Sequence, residues 1–157
     1  MARFVLVHGA FHGGWCWSKI TPRLEAAGHQ VSTPDWPGHG DDTTPRAGLH
    51  LTDYGARIAG VLAEGEPAIV VAHSMGGVVA SVACEMAPDS VRHLAYLTAL
   101  VPTHGKTLND IALREPGSDF EAAMDAVEPG AHLLKRDIAR AVFYHDCAAA
   151  DAEDALD

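Results

Sequence analysis

The stretch Ile69-Val70-Val71-Ala72-His73-Ser74-Met75-Gly76-Gly77 decides the fold. An uninterrupted apolar run leads into a serine, and the glycine pair after it opens a second, longer apolar segment. A continuous run of Val and Ile, with no polar alternation, is what a strand covered on both faces needs. Met75 to Ala87 is apolar nearly all round and stops before Pro88, which predicts a buried helix. Ser74 therefore ends a buried strand and starts a buried helix. Small residues stand two before it, Ala72, and two after it, Gly76. A nucleophile on such a sharp turn has a strained backbone and an exposed hydroxyl, and larger flanking side chains would collide. The helix that follows points free N–H groups at the turn, which favours developing negative charge. A plain N-cap serine before two glycines is the rival reading. The strand–turn–helix setting is what favours a catalytic nucleophile.

Working outward, Phe4–Val7, a weaker Gln30–Thr33, Ala68–Ala72 and His93–Leu97 read as strands. Helical patterns fill the spaces between them. Ser18 to Ala27 ends at Gly28, a good C-cap. Thr52 to Glu64 places Tyr54, Ile58, Val61 and Leu62 on one stripe. Strands alternating with helices imply right-handed crossovers and a parallel α/β sheet.

The composition shifts after Val101-Pro102, and from Thr103 no strand-like run is visible. Ser118-Asp119-Phe120-Glu121 matches a capping box and predicts a helix to Val127. Asp137 to Asp146 and Ala148 to Leu156 are further helix candidates. Residues 1–102 thus read as an α/β core and residues 103–157 as a helical insertion of the same domain.

A second chemistry-bearing segment, His8-Gly9-Ala10-Phe11-His12-Gly13-Gly14-Trp15, follows the first strand directly. A glycine-rich loop there can bring a backbone N–H to an oxyanion, with the residue after the nucleophile giving the other donor. That assigns the N–H groups of Ala10 and Met75 as an oxyanion hole, with Phe11 and His12 beside the substrate. His8 and His12, four apart, would converge on a metal ion only on a helix, and this segment is loop-like. No metal is expected. Glycine-rich loops also bind phosphates, but neither loop has a P-loop ending or a dinucleotide fingerprint. Asp35-Trp36-Pro37-Gly38-His39-Gly40, after the second strand, reads as a structural turn, with Trp36 and His39 outside the chemistry.

The bulk properties narrow the partners. A formal charge of −10 without a Lys/Arg cluster argues against nucleic acid or an anionic membrane. Cys16, Cys84 and Cys147 are odd in number and far apart, as expected of reduced thiols in a cytoplasmic protein. The apolar N-terminal run is too short for a signal peptide, and no stretch is long enough to span a membrane.

With these segments in order, the chain resembles the α/β-hydrolase superfamily. The match is closer to one branch, the plant methylesterases and hydroxynitrile-lyase-like hydrolases with their bacterial relatives. Phe4 to Trp15, Leu24-Glu25-Ala26-Ala27-Gly28-His29 and His73 to Gly77 carry the resemblance. Tyr96-Leu97-Thr98-Ala99 with Pro102, and Phe143-Tyr144-His145-Asp146-Cys147, extend it. It implies an α/β-hydrolase fold with four parallel strands in the order second, first, third, fourth, helices on both faces, and a helical cap insertion after the fourth. It also implies a serine hydrolase that cleaves small carboxylic esters through an acyl-enzyme on Ser74, without a cofactor. Lyases of the branch carry Thr where this chain has Gly9, so cyanohydrin cleavage is the second choice. A non-catalytic small-molecule binder on the same fold is the third.

In the resembled family the triad acid and histidine follow the insertion, and no segment of this sequence matches either. Thr98-Ala99-Leu100-Val101, where some hydrolases place the acid, holds no carboxylate. His93, His104, His132 and His145 read as solvated or structural. Loss of a triad member leaves only about 10³–10⁴-fold acceleration over water. These residues alone are therefore expected to be inactive. The outer edge of His93–Leu97, an interior strand in the family, is expected to be bare and to invite self-association or a complementing chain.

Overall fold

The run at the N-terminus folds as expected of a strand covered on both faces. In the computed structural model, which describes residues 1–112, 124–128 and 131–156, Val5, Leu6 and Val7 are all buried in strand β1 (Arg3–Val7). Burial of each such side chain contributes about 1.5–3 kcal/mol. Strand β1 lies between β2 (Gln30–Ser32) and β3 (Ala68–Ser74), and β3 pairs on its other side with β4 (Val91–Ala99). All three pairings are parallel, giving the expected order β2-β1-β3-β4. Strand β2 is one residue shorter than the sequence suggests, and β4 is longer at both ends.

Helix α1 (Thr21–Ala26) starts later than Ser18. Residues 14–17 form a 3-10 turn instead, and Pro22 suits the first turn of the helix proper. Its end follows the C-cap expectation: Gly28 has φ +81°, and its N–H reaches Glu25 O while the N–H of His29 reaches Leu24 O. Helix α2 (Leu51–Ala63) buries Ile58, Val61 and Leu62, three members of the predicted stripe, while Tyr54 is half-buried against the same core. Asp53 accepts the N–H of His50 at its start. Helix α3 (Gly76–Met86) presses on α2 closely enough that a Cβ on Gly55 would come 2.5 Å from Val82 Cγ1. Trp36, Ile58, Leu62, Val70 and Val79 belong to one fully buried cluster. Helix α4 (Leu108–Ala112) closes this first unit, Met1–Ala112.

The second compact unit, Leu113–Asp157, corrects the expectation of an all-helical segment. Strands β5 (Met124–Glu128) and β6 (Ala131–Leu134) form an antiparallel pair, so residues 124–127 are strand and not the end of a helix. Cross-strand bonding from Met124↔Leu134 to Glu128↔Ala131 overrides the helical propensity of Ala and Glu. The capping box at Ser118–Glu121 lies outside the described residues. Helices α5 (Arg136–Phe143) and α6 (Ala149–Leu156) match the remaining two candidates within a few residues. They are tied by Arg136 and Arg140, both paired to Glu153. Among the described residues, no helix is long and apolar enough to cross a membrane.

Candidate active site

Ser74 is the last residue of β3 and has φ +51°, a left-handed conformation that non-glycine residues rarely adopt. Met75 forms the N-cap of α3, and its carbonyl accepts the N–H groups of Val78 and Val79. The turn is tight because the start of α3 runs against the loop after β1. A Cβ on Gly76 would stand 2.3 Å from His8 O and 2.8 Å from Val7 O. Ala72, two residues before the serine, is fully buried. Gly77 faces the end of β4, where a Cβ would meet Leu100 O at 2.4 Å.

The loop after β1 reaches the serine itself. A Cβ on Gly9 would lie 2.9 Å from Ser74 Cβ and 3.4 Å from Ser74 Oγ. Ala10 and Met75 therefore flank one contact, each following a residue that makes it. Phe11, next along the loop, has φ +64°. His12 pairs its Nδ1 with Ala10 O at 2.8 Å and stacks on Trp15. Burial lowers the pKa of His12, which favours the neutral ring. Among the described residues, Ser74 Oγ has no hydrogen-bond partner.

His8 serves the loop differently. It is fully buried and stacked on Trp36, with ring centroids 3.8 Å apart. Its Nδ1 donates to Gly9 O at 2.8 Å. Burial pushes its pKa down to about 4, so the ring is neutral at pH 7 and Nε2 carries no proton. That nitrogen lies 3.6 Å from Asp35 Oδ1, outside hydrogen-bond range, and has no hydrogen-bond partner among the described residues. The pair is a close approach and not a charged bridge. His8 and His12 each turn Nδ1 to a loop carbonyl, at 2.8 Å in both cases.

Asp35 was legible only as part of a turn, yet it fastens two loops. Its carboxylate accepts the N–H of Gly14 at 2.6 Å and that of Asp41 at 3.0 Å. It also fills the space a Cβ on Gly40 would need, at 2.2 Å. Trp36 is buried beneath His8, and His39 bonds its own turn at Pro37 O. His93 pairs with Ile69, at the opposite end of the sheet from Ser74, which pairs with Ala99. His104 lies in a turn beyond β4, while His132 and His145 are exposed in the second unit.

Residues 4–157 match the sequence profile described as the alpha/beta hydrolase family. The chain belongs to that family. Within this hydrolase family it is 44% identical over 113 residues to a carbendazim hydrolyzing esterase from a Nocardioides species, covering 69% of this chain and 46% of the relative. It is 39% identical over 105 residues to Methylesterase 7 of Arabidopsis thaliana, covering 64% and 40%. A crystal structure of a pyrethroid hydrolase superposes with a TM-score of 0.83 at 28% identity, covering 94% of this chain and 63% of that one. The chain thus spans less than half the length of these two curated relatives, and it falls in the methylesterase-like branch.

Proposed function

We propose that this hydrolase-family chain carries the nucleophile of an esterase for small carboxylic esters. Ser74 Oγ attacks the ester carbonyl and gives its proton to a base. The alcohol leaves with a proton, and water then releases the acid from the acyl-serine. The N–H groups of Ala10 and Met75 hold the oxyanion, while Phe11 and His12 line the substrate pocket. The observation that carries this reading is the left-handed Ser74 at a strand–helix turn, pressed against Gly9. The esterase names of the relatives support the choice of esters over cyanohydrins.

No described residue hydrogen-bonds to Ser74 Oγ as a base would, and a polypeptide of these residues alone is expected to be inactive. We read residues 1–102 as the hydrolase core and 103–157 as belonging to the family's insertion. Three cysteines without disulfides support a cytoplasmic setting. The test is labelling of the protein at its full natural length with a phosphonofluoridate probe. Mass spectrometry should place the adduct on Ser74, and Ser74→Ala should abolish it and lower ester turnover on the order of 10⁶-fold. Labelling that survives the substitution refutes the assignment. Faster release of cyanide from cyanohydrins than of alcohol from methyl esters refutes the esterase choice.

A further inference from the structure

Three non-glycine residues have positive φ among the described residues: Phe11, Ser74 and Thr98. Ser74 and Thr98 stand beside each other on neighbouring strands. After a first register shift between Ala68↔Val91 and Ile69↔His93, the β3–β4 ladder runs in step to His73↔Leu97 and resumes at Ser74↔Ala99, so Thr98 is an extra residue bulged out of β4. A bulge in a parallel pair is uncommon, and a β-branched residue with φ +46° is an outlier in its own right. Such conformations persist only where the surroundings over-determine them.

The bulge has a local effect on the elbow. It swings the end of β4 so that Leu100 N–H donates to Ser74 O at 2.9 Å. It also brings Ala99 and Leu100 O against the first turn of α3, where only Gly77 leaves room. On the other side of Thr98, Leu97 O bonds His73 Nδ1 at 3.0 Å. The residues on either side of Thr98 therefore grip His73 and Ser74 in turn. We infer that Thr98 is a positioning residue: its left-handed bulge clamps the Ser74 carbonyl through Leu100 and holds the nucleophile's backbone in its strained turn. The inference rests on the nucleophile assignment. It attributes the effect to backbone conformation and not to the threonine hydroxyl.

The experiment pairs single-amide hydrogen exchange with probe labelling, on the protein at full natural length. In the wild type, Leu100 lies beyond the end of the β4 ladder, yet its amide should be as protected as those of the ladder. Deletion of Thr98 should raise Leu100 exchange roughly tenfold. It should also slow phosphonylation of Ser74 about 100-fold, with exchange at Val5–Val7 unchanged. Thr98→Gly and Thr98→Asn both tolerate the left-handed region and should keep Leu100 protection and the labelling rate within about threefold. A labelled wild type whose rate is indifferent to the deletion overturns the clamp, as does loss of labelling in Thr98→Gly. Should the deletion not fold, an unprotected Leu100 in the wild type overturns it equally. A wild type that takes no probe at Ser74 overturns the hydrolase reading, and with it the purpose of the clamp.

Discussion

The carbonyl oxygen of His8 occupies the space that a Cβ on Gly76 would need, at 2.3 Å. Both partners are backbone, so neither can swing away. Gly76→Ala should therefore cost about 2–4 kcal/mol and move the elbow. Gly60, on the exposed side of α2, meets nothing within 4 Å, and Gly60→Ala should stabilise by about 0.5–1 kcal/mol. Thermal melts of the two variants beside the wild type check the contrast. A gain in Gly76→Ala like that expected of Gly60→Ala would show that helix propensity, not the close approach, governs position 76.

Acid should unfold the protein through its buried histidines. The pKa of His8 falls from 6.5 to about 4, chiefly through burial, with His39 adding a smaller push and the Gly9 carbonyl opposing it. Between those values the unfolded chain takes up a proton that the native ring refuses. The contribution is complete above about pH 6.5 and is lost as pH falls toward 4, amounting to something on the order of 3 kcal/mol. His12 and His39, also lowered by burial, act in the same direction. Melting temperatures across pH 4–7 should rise with pH, and His8→Gln should flatten the slope. An unchanged slope in that variant would move the effect elsewhere.

The three thiols should differ sharply in native alkylation. Cys147 is exposed, whereas burial, aided by the Asp35 charge, pushes Cys16 up to about 12. At pH 8 only roughly one Cys16 in ten thousand is then a thiolate. Burial raises Cys84 as well. Iodoacetamide followed by peptide mass spectrometry should find Cys147 modified first and Cys16 only after denaturation. Early labelling at Cys16 would mean that its loop opens readily.

A polypeptide of these 157 residues should associate through β4. Among the described residues only β3 pairs with it, and Leu97 and Val101 are each about half exposed. An unpaired apolar edge is a template for another strand. Light scattering should show mass rising with concentration, and Leu97→Lys should suppress the rise. A monodisperse wild-type monomer at all concentrations would contradict this.

Much of the fold lay open in the sequence because its strands are apolar and uninterrupted. Phe4–Val7 and Ile69–Val71 read as strands from their uninterrupted apolar runs, and their neighbours follow from the parallel topology. The hairpin of β5 and β6 escaped because Met124–Glu128 has the composition of a helix. In the sequence, the dipeptide Pro129-Gly130 was a turn signal that a single long helix does not carry. At the candidate site, glycine spacing announced the elbow and the loop that touches it. Thr98 gave no warning, since a β-branched residue advertises regular strand. The grip of Asp35 on Gly14 and Asp41 was equally silent, since it joins segments some twenty residues apart in the sequence.

That grip bears on how the protein could be re-engineered. Asp35 fills space that side chains at positions 13 and 40 would claim, and it ties down the N–H groups of Gly14 and Asp41. The loop after β1 and the turn after β2 are thus one interchangeable part and not two. A loop graft that brings only the glycine-rich segment from a relative will arrive without its anchor. Homologue shuffling with a crossover between residues 14 and 35 should yield mismatched halves, whereas a crossover after residue 42 should carry the whole cassette intact.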